Sequence, residues 1–302
     1  YMKNFKNINE ITKTEGEIKE IKKFLSQNEV NKILKYKNNN ANYFVKRNDG
    51  WKISFNKIKK KPVRSIKSWD QIFQKILYPK LKKIFPDIKF YVHKNEFPPH
   101  IFKSNYPLKI HADTGKDNQK EIPFKQILIP LYIDKKSQNV FTVFFKNRWY
   151  GPAANFRSKK TANDPLEIND KNKKFIRILD LKKFLRYLEK NKDKKMVFFK
   201  QGEFNNNVRF RNKIKKLILK KRYNITTTKL VNNKMTFPKK IYNKFLTHED
   251  YDDFRGLKFW KAIKWKIGNA IIWDRSVIHS SNNFLKYKAY TKIGLSIFLN
   301  RK

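Results

Sequence analysis

Two histidines and one aspartate in this chain have the types and the surroundings of a metal site. His111-Ala112-Asp113 stands ahead of a long apolar, β-branched run, and Gly268-Asn269-Ala270-Ile271-Ile272-Trp273-Asp274 leads into His279. In an extended strand residues i and i+2 point to the same face, so the His111 imidazole and the Asp113 carboxylate can reach one ion. Adding His279 completes a 2-His-1-carboxylate set, which grips Fe(II) on one face and leaves three positions open for reactants. The chain contains no cysteine. Disulfides, thiolate zinc sites and cysteine nucleophiles are therefore excluded, and any metal must be held by His, Asp or Glu.

A rival pair exists in His248-Glu249-Asp250, but Asp250 is only 29 residues from His279. That interval holds two or three strands of ordinary length, whereas a roll of strands needs several between its paired ligands and the last one. His111 and Asp113 leave that room. His93 and His100 read as structural or surface residues, either able to line a cleft.

The elements that must position these groups change period along the chain. Thr14-x-x-Glu17 and Ser26-x-x-Glu29 are capping boxes, followed by Ile18, Ile21, Phe24 and Leu25 in the first case and Val30, Ile33 and Leu34 in the second. A third helix is predicted from a Ser68 cap, with Gln71 in the reciprocal position, Ile72, Phe73, Ile76, Leu77 and Leu81 behind it, and Pro86 at its end. Strand character then takes over at 89–92, 126–133 and 140–145, the last two separated by a hairpin-like Asp134-to-Asn139 turn. It returns at 262–265, 270–273, 277–280 and 293–299. Between lies a segment of about 158–240 in which basic residues outnumber acidic ones by more than three to one. Two basic amphipathic helices are expected there, around 174–191 and 212–222. Helices first and strands after predict an α+β chain: a helical region over 1–86, then an antiparallel double-sheet roll over 87–302 carrying the basic insertion.

Lys and Arg number 72 against 25 Asp and Glu, a formal charge of +47. Such a field attracts polyanions, and nucleic acid is the obvious class of partner. Lys, Asn, Ile, Phe and Tyr are enriched together, as an AT-rich coding sequence would make them; that explains Lys over Arg but not the scarcity of acids. No apolar run approaches the ~18 residues of a membrane span, and the N-terminus shows no secretory h-region. A cytoplasmic protein is expected.

At three blocks the sequence resembles the Fe(II)/2-oxoglutarate-dependent dioxygenases, the double-stranded β-helix (jelly-roll) oxygenases. They are His111-Ala112-Asp113-Thr114-Gly115 with the run Lys125 to Tyr132; Gly268-x-Ala270-x-x-x-Asp274-x-x-x-x-His279-x-x-Asn282; and Lys292-x-Gly294-Leu295-Ser296-x-Phe298. Together they cover about half the chain, near 88–150 and 258–300. The resemblance implies that His111, Asp113 and His279 bind iron and that 2-oxoglutarate and O2 occupy its open positions. Oxidative decarboxylation of 2-oxoglutarate to succinate and CO2 would then drive oxidation of a substrate C–H bond. It makes Lys292 the cation for the distal carboxylate, because a buried carboxylate must be paired. Most of the superfamily has Arg there and the prolyl 4-hydroxylase branch Lys. A lysine is a point charge rather than a fork, so a hydroxyl helper is expected, from Tyr132 or Ser296. Lys125 is the alternative anchor. Related halogenases lack the carboxylate, so Asp113 points to hydroxylation or a related oxidation.

Around these residues several readings stay open. Asn282 and Asn283 either contact the cosubstrate or make a turn. Asp274 and Arg275 either pair to orient the His279 loop or form a surface ion pair. Lys146-Asn147-Arg148-Trp149-Tyr150-Gly151 is either a substrate platform or core packing beside a solvated Arg148. The substrate is not legible: a small metabolite, one with an anionic handle such as coenzyme A, or a nucleic-acid-linked group. The competing class is a non-catalytic, basic nucleic-acid-binding or structural protein on a relict jelly roll.

Overall fold

The computed structural model describes residues 14–39, 45–47, 50–52, 72–86, 90–92, 99–113, 122–134, 139–148, 154–155, 167–169, 175–178, 197–199, 230–231, 236–254 and 256–301. Two antiparallel sheets pack face to face and a third, smaller one forms within the insertion. The strands of the large sheet run, edge to edge, as β1 (Lys19–Ile21), β15 (Ala270–Asp274), β7 (Ile122–Ile133), β17 (Lys292–Arg301), β5 (His100–Ser104), β3 (Gly50–Lys52) and β2 (Val45–Arg47), with β4 (Phe90–Val92) also on β17. The facing sheet runs β14 (Phe259–Lys264), β8 (Phe141–Arg148), β16 (Val277–Ser281), β6 (His111–Ala112) and β9 (Ala154–Asn155).

The large sheet is apolar on both faces. Ile127, Ile129, Leu131, Leu295, Ile297 and Leu299 turn outward to Val30, Ile33 and Tyr36 of helix α1 (Gln27–Asn39) and to Phe73, Leu77 and Leu81 of a second helical stretch. Leu128, Ile271 and Trp273 turn inward to Phe144, Ile263 and Val277 of the facing sheet. A strand covered on both sides loses its alternation, which is why 127–133 is one continuous apolar run. Helix α1 starts where its capping box places it: the Glu29 N–H donates to Ser26 Oγ at 3.3 Å and the Ser26 N–H to Glu29 Oε2 at 2.8 Å. The second stretch is a π-helical turn over Phe73–Leu77 leading into α2 (Tyr78–Ile84), and it stops before Pro86. Its expected Ser68 cap and Gln71 lie outside the described residues.

Three expectations need correction. The first capping box opens no helix: 19–21 is a strand paired with Ala270–Ile272. Ile18 packs between the sheets while Phe24 and Leu25 pack on the helical side. One apolar stripe read from the sequence thus belongs to two cores. The 134–139 turn is no hairpin either, because β7 pairs with β15 and β17 while β8 pairs with β14 and β16. The turn carries the chain from one sheet to the other. In the insertion, Phe175–Ile178 is strand β11, in a four-stranded sheet with β10 (Glu167–Asn169), β12 (Val197–Phe199) and β13 (Leu230–Val231). The remainder of the two expected helices lies outside the described residues. No helix among the described residues is long and apolar enough to cross a membrane.

The outer face of the five-stranded sheet, the smaller of the two that pack together, is covered by 236–254, which includes helix α3 (Lys239–Phe245). Phe237 and Phe254 stack around Phe145, and Phe245 meets Phe141 edge-on at 5.3 Å. At the opposite side of the molecule the N-terminal strap is fixed by Gly268. Its carbonyl accepts the Leu25 N–H at 2.8 Å, its φ is +78°, and a Cβ there would lie 2.6 Å from the Leu25 oxygen. Gly268→Ala should therefore lower unfolding free energy by about 1–3 kcal/mol. Denaturant titration reads this directly, and an unchanged midpoint would show that the strap does not constrain that turn.

Candidate metal centre

Strands β6 and β16 meet at the single Cα pair His111–His279, and the two imidazole centroids are 4.1 Å apart. Asp113, just past β6, puts Oδ2 at 3.4 Å from Nε2 of both rings. The three donor atoms lie within 4.8 Å of one another. Each ring is oriented from behind. His111 Nδ1 faces the Lys109 carbonyl at 2.7 Å, and His279 Nδ1 faces the Val277 carbonyl at 3.0 Å. An Nδ1–H donated to a carbonyl leaves the Nε2 lone pair for a metal. His279 is further fixed by the Trp273 ring at 5.0 Å and the Phe144 ring at 6.1 Å.

The charges agree with that arrangement. Burial opposes ionisation of Asp113, but the two imidazoles outweigh it and hold the carboxyl well below its ordinary range. Burial also pulls His111 down; the Asp113 carboxylate overcomes it and leaves the imidazole raised. For His279 burial and the neighbouring His111 win, so its pKa is lowered. A carboxylate ready as an anion beside two inward Nε2 atoms is a donor set for a divalent cation.

Arg275 supports the carboxylate arm. Fully buried, it donates from Nε to the Asp113 carbonyl at 2.7 Å and from Nη1 to Asn300 Oδ1. Asp274 faces a different set: it accepts from Lys125 Nζ, from Arg148 Nη1 at 2.7 Å and from the Gly16 N–H at 3.0 Å. Lys125 also donates to the Thr14 carbonyl at 3.0 Å. Its ammonium is thus engaged with Asp274 and the N-terminal strap. Arg148 joins the same clamp through Glu15, at 3.2 Å, rather than a platform; Trp149, Tyr150 and Gly151 lie outside the described residues.

Lys292 is different. It is 3% exposed, with Nζ 4.3 Å from the Trp265 ring centroid and 4.8 Å from that of Phe284. Its hydrogen-bond partner is the Ser281 hydroxyl, and no carboxylate pairs with it among the described residues. The hydroxyl in contact with Lys292 is that of Ser281; neither Tyr132 nor Ser296 bonds it. Tyr132 stands opposite Ile293 and is 37% exposed; Ser296 is buried and accepts from Gln126 Nε2 at 3.4 Å. Ser281 follows His279 by two residues on a strand, a period that a sequence reading could have used. Asn282 makes the turn: it accepts the Phe141 N–H at 2.7 Å and donates to the Asn139 carbonyl at 2.8 Å. Asn283 caps the following 3-10 turn at Lys286 N.

The rival pair lies in the 236–254 segment, with Asp250 exposed. His248 is half-buried, with Nε2 3.4 Å from Glu249 Oε1, and desolvation pushes its pKa down to about 4. Burial pushes the Glu249 carboxyl up to about 8, against the opposing pull of the Ile110 N–H bond. His100 is buried on β5 and stacks on Phe298. His93 lies outside the described residues.

No protein-family description and no curated protein matches the chain. Among solved structures, the non-heme α-ketoglutarate-dependent epimerase SnoN from nogalamycin biosynthesis aligns over 98% of this chain and 82% of its own, at 7% identity and a TM-score of 0.44. HygX from Streptomyces hygroscopicus, solved with iron bound, aligns over 98% and 86% at 8% identity and 0.41. The viral collagen prolyl hydroxylase of Paramecium Bursaria Chlorella virus-1, a 2-oxoglutarate complex, aligns over 94% and 96% at 9% identity and 0.33. Likeness this loose establishes neither the fold nor the activity, which rest on the residues themselves.

The buried lysine gives a pH test. Burial lowers its pKa from the ordinary 10.5 to about 7. Between those values the unfolded chain binds the extra proton, so Lys292's contribution to stability grows as pH rises from 7 towards 10.5 and is lost as pH falls back through 7. Wild type should gain stability over that range relative to Lys292→Met when both are denatured in urea. Parallel pH profiles would contradict a desolvated ammonium.

Proposed function

We propose that the chain is an Fe(II)- and 2-oxoglutarate-dependent oxygenase, with hydroxylation its most direct outcome. One observation carries the reading: a buried cation with no carboxylate partner among the described residues hydrogen-bonds Ser281, which lies one same-face strand step from His279 of the three converging donors. His111, Asp113 and His279 would hold Fe(II). The step from His279 to Ser281 is about 6.6 Å along a strand, and the carboxyl carbons of an extended five-carbon diacid are about 5 Å apart. A 2-oxoglutarate chelating the metal through its 2-oxo acid end can therefore lay its distal carboxylate against Lys292 and Ser281. That contact would replace the lysine's lost hydration with a charge-assisted bond.

When bound, the iron and cosubstrate supply the oxidant: O2 is divided between succinate and the oxidised substrate, and CO2 leaves. The protein's own share is to fix and to dry the site. Trp273 and Phe144 hold His279, while Trp265 and Phe284 wall the lysine and exclude water from the diacid's far end. On this reading residues 87–302 are the oxygenase domain with the basic insertion at about 158–240, and residues 1–86 pack against it and supply edge strands. The net charge of +47 favours a substrate with an anionic part, either a small metabolite or a nucleic-acid-linked group.

The test is succinate release from 2-oxoglutarate with and without Fe(II). It should require iron and fall in His111→Ala and Asp113→Ala by more than the roughly 10–100-fold usual for losing a residue that only orients a ligand. Lys292→Met should chiefly raise the 2-oxoglutarate concentration needed. Turnover that survives in Asp113→Ala would sink the proposal.

A further inference from the structure

Glu249 belongs to the 236–254 cover on the outer face of the smaller sheet, yet its buried carboxyl touches both strands that carry the histidines. The Ile110 N–H, immediately before His111, donates to Oε1 at 2.9 Å and to Oε2 at 3.0 Å. The Ser280 hydroxyl, immediately after His279, lies 3.1 Å from Oε1, within reach also of the Leu108 carbonyl at 3.1 Å and the Ser281 carbonyl at 2.9 Å. Strand alternation explains the second contact: His279 and Ser281 point between the sheets, so Ser280 points out to the cover.

The need for such a tie is visible in β6. It is two residues long; its register with β16 is one Cα pair, extended by the Ser281 N–H donating to the Leu108 carbonyl at 3.0 Å, and its other neighbour, β9, is just as short. A ladder that short fixes position weakly, while one ion needs both Nε2 atoms placed to within a few tenths of an ångström. We propose that Glu249 is a positioning residue for the metal centre, tying Ile110 to Ser280 and so holding His111 and His279 at the separation one ion requires. A carboxyl suits the task because, with or without a proton, it keeps acceptor oxygens for both bonds. Alanine would take the acceptor from the buried Ile110 N–H and leave the Ser280 hydroxyl only the Leu108 and Ser281 carbonyls of the two strands' own segments, so that nothing would join the two side by side from the cover. The inference rests on the metal reading above and adds a residue that is itself no ligand.

The experiment is a Co(II) titration of the metal-free full chain, with thermal unfolding of the same samples. Wild type should bind one equivalent and His111→Ala none; if wild type binds none, the metal reading falls and this inference with it. Given wild-type binding, Glu249→Ala should weaken Co(II) affinity by about 10-fold or more, the usual cost of losing a residue that orients ligands. Ser280→Ala, which removes one tie and little volume, should weaken it less and leave metal-free unfolding near wild type. The double variant should lose less than the sum of the two, because both act through one contact. A merely structural glutamate would lower metal-free stability and leave the dissociation constant alone. Affinity in Ser280→Ala within about twofold of wild type, well short of the loss expected for a ligand-orienting contact, would overturn the proposal even if Glu249→Ala fails to fold.

Discussion

Strands β6 and β16 share one Cα pair, and it is the pair of histidines. Directly opposed residues of an antiparallel pair hold their Cβ atoms about 4.5–5.5 Å apart, close enough for two imidazoles to meet one ion. A slip of one residue in β16 would turn His279 outward and bring Ser280 inward. Much of the surrounding structure acts on that register. Trp273 and Phe144 hold the His279 ring from inside. Glu249 grips the neighbours of both histidines from outside, and Arg275 holds the Asp113 carbonyl from the far end.

Charge is handled differently in two places within the same core. Asp274 takes hydrogen bonds from Lys125, Arg148 and Gly16 and is satisfied by the fold itself. Lys292 has a hydroxyl and two aromatic faces, less than a buried ammonium needs. The first arrangement is structural; the second is where the proposed diacid would complete the pairing. A chain rich in Lys and poor in acids also uses backbone oxygens as partners. Lys80, Lys125 and Lys261 donate to the carbonyls of Phe24, Thr14 and Ile18, so part of the excess positive charge is spent fastening the N-terminal segment.

The ligand triad was legible because its types are rare here and its spacing is simple: five histidines in all, one of them two residues from an aspartate with strands to spare before His279. Helix α1 was legible because its cap and its apolar period agree. The strap at 14–25 was not, since Ile18, Ile21, Phe24 and Leu25 fit a helical period by coincidence while serving opposite faces of a sheet. The 134–139 turn misled for a related reason. Local turn residues say that the chain reverses, but not whether it returns to the same sheet. Ser281 was within reach of strand periodicity from His279. Glu249 was not: its partners, Ile110 and Ser280, are 139 and 31 residues away, and a glutamate beside a histidine carries no local sign of burial.

The most direct test of the central claim is a crystal structure with Mn(II) in place of iron and 2-oxoglutarate, grown without oxygen turnover. The account predicts anomalous density on His111, Asp113 and His279, with the distal carboxylate of 2-oxoglutarate against Lys292 and Ser281. Metal bound elsewhere, or a diacid that leaves Lys292 untouched, would contradict it.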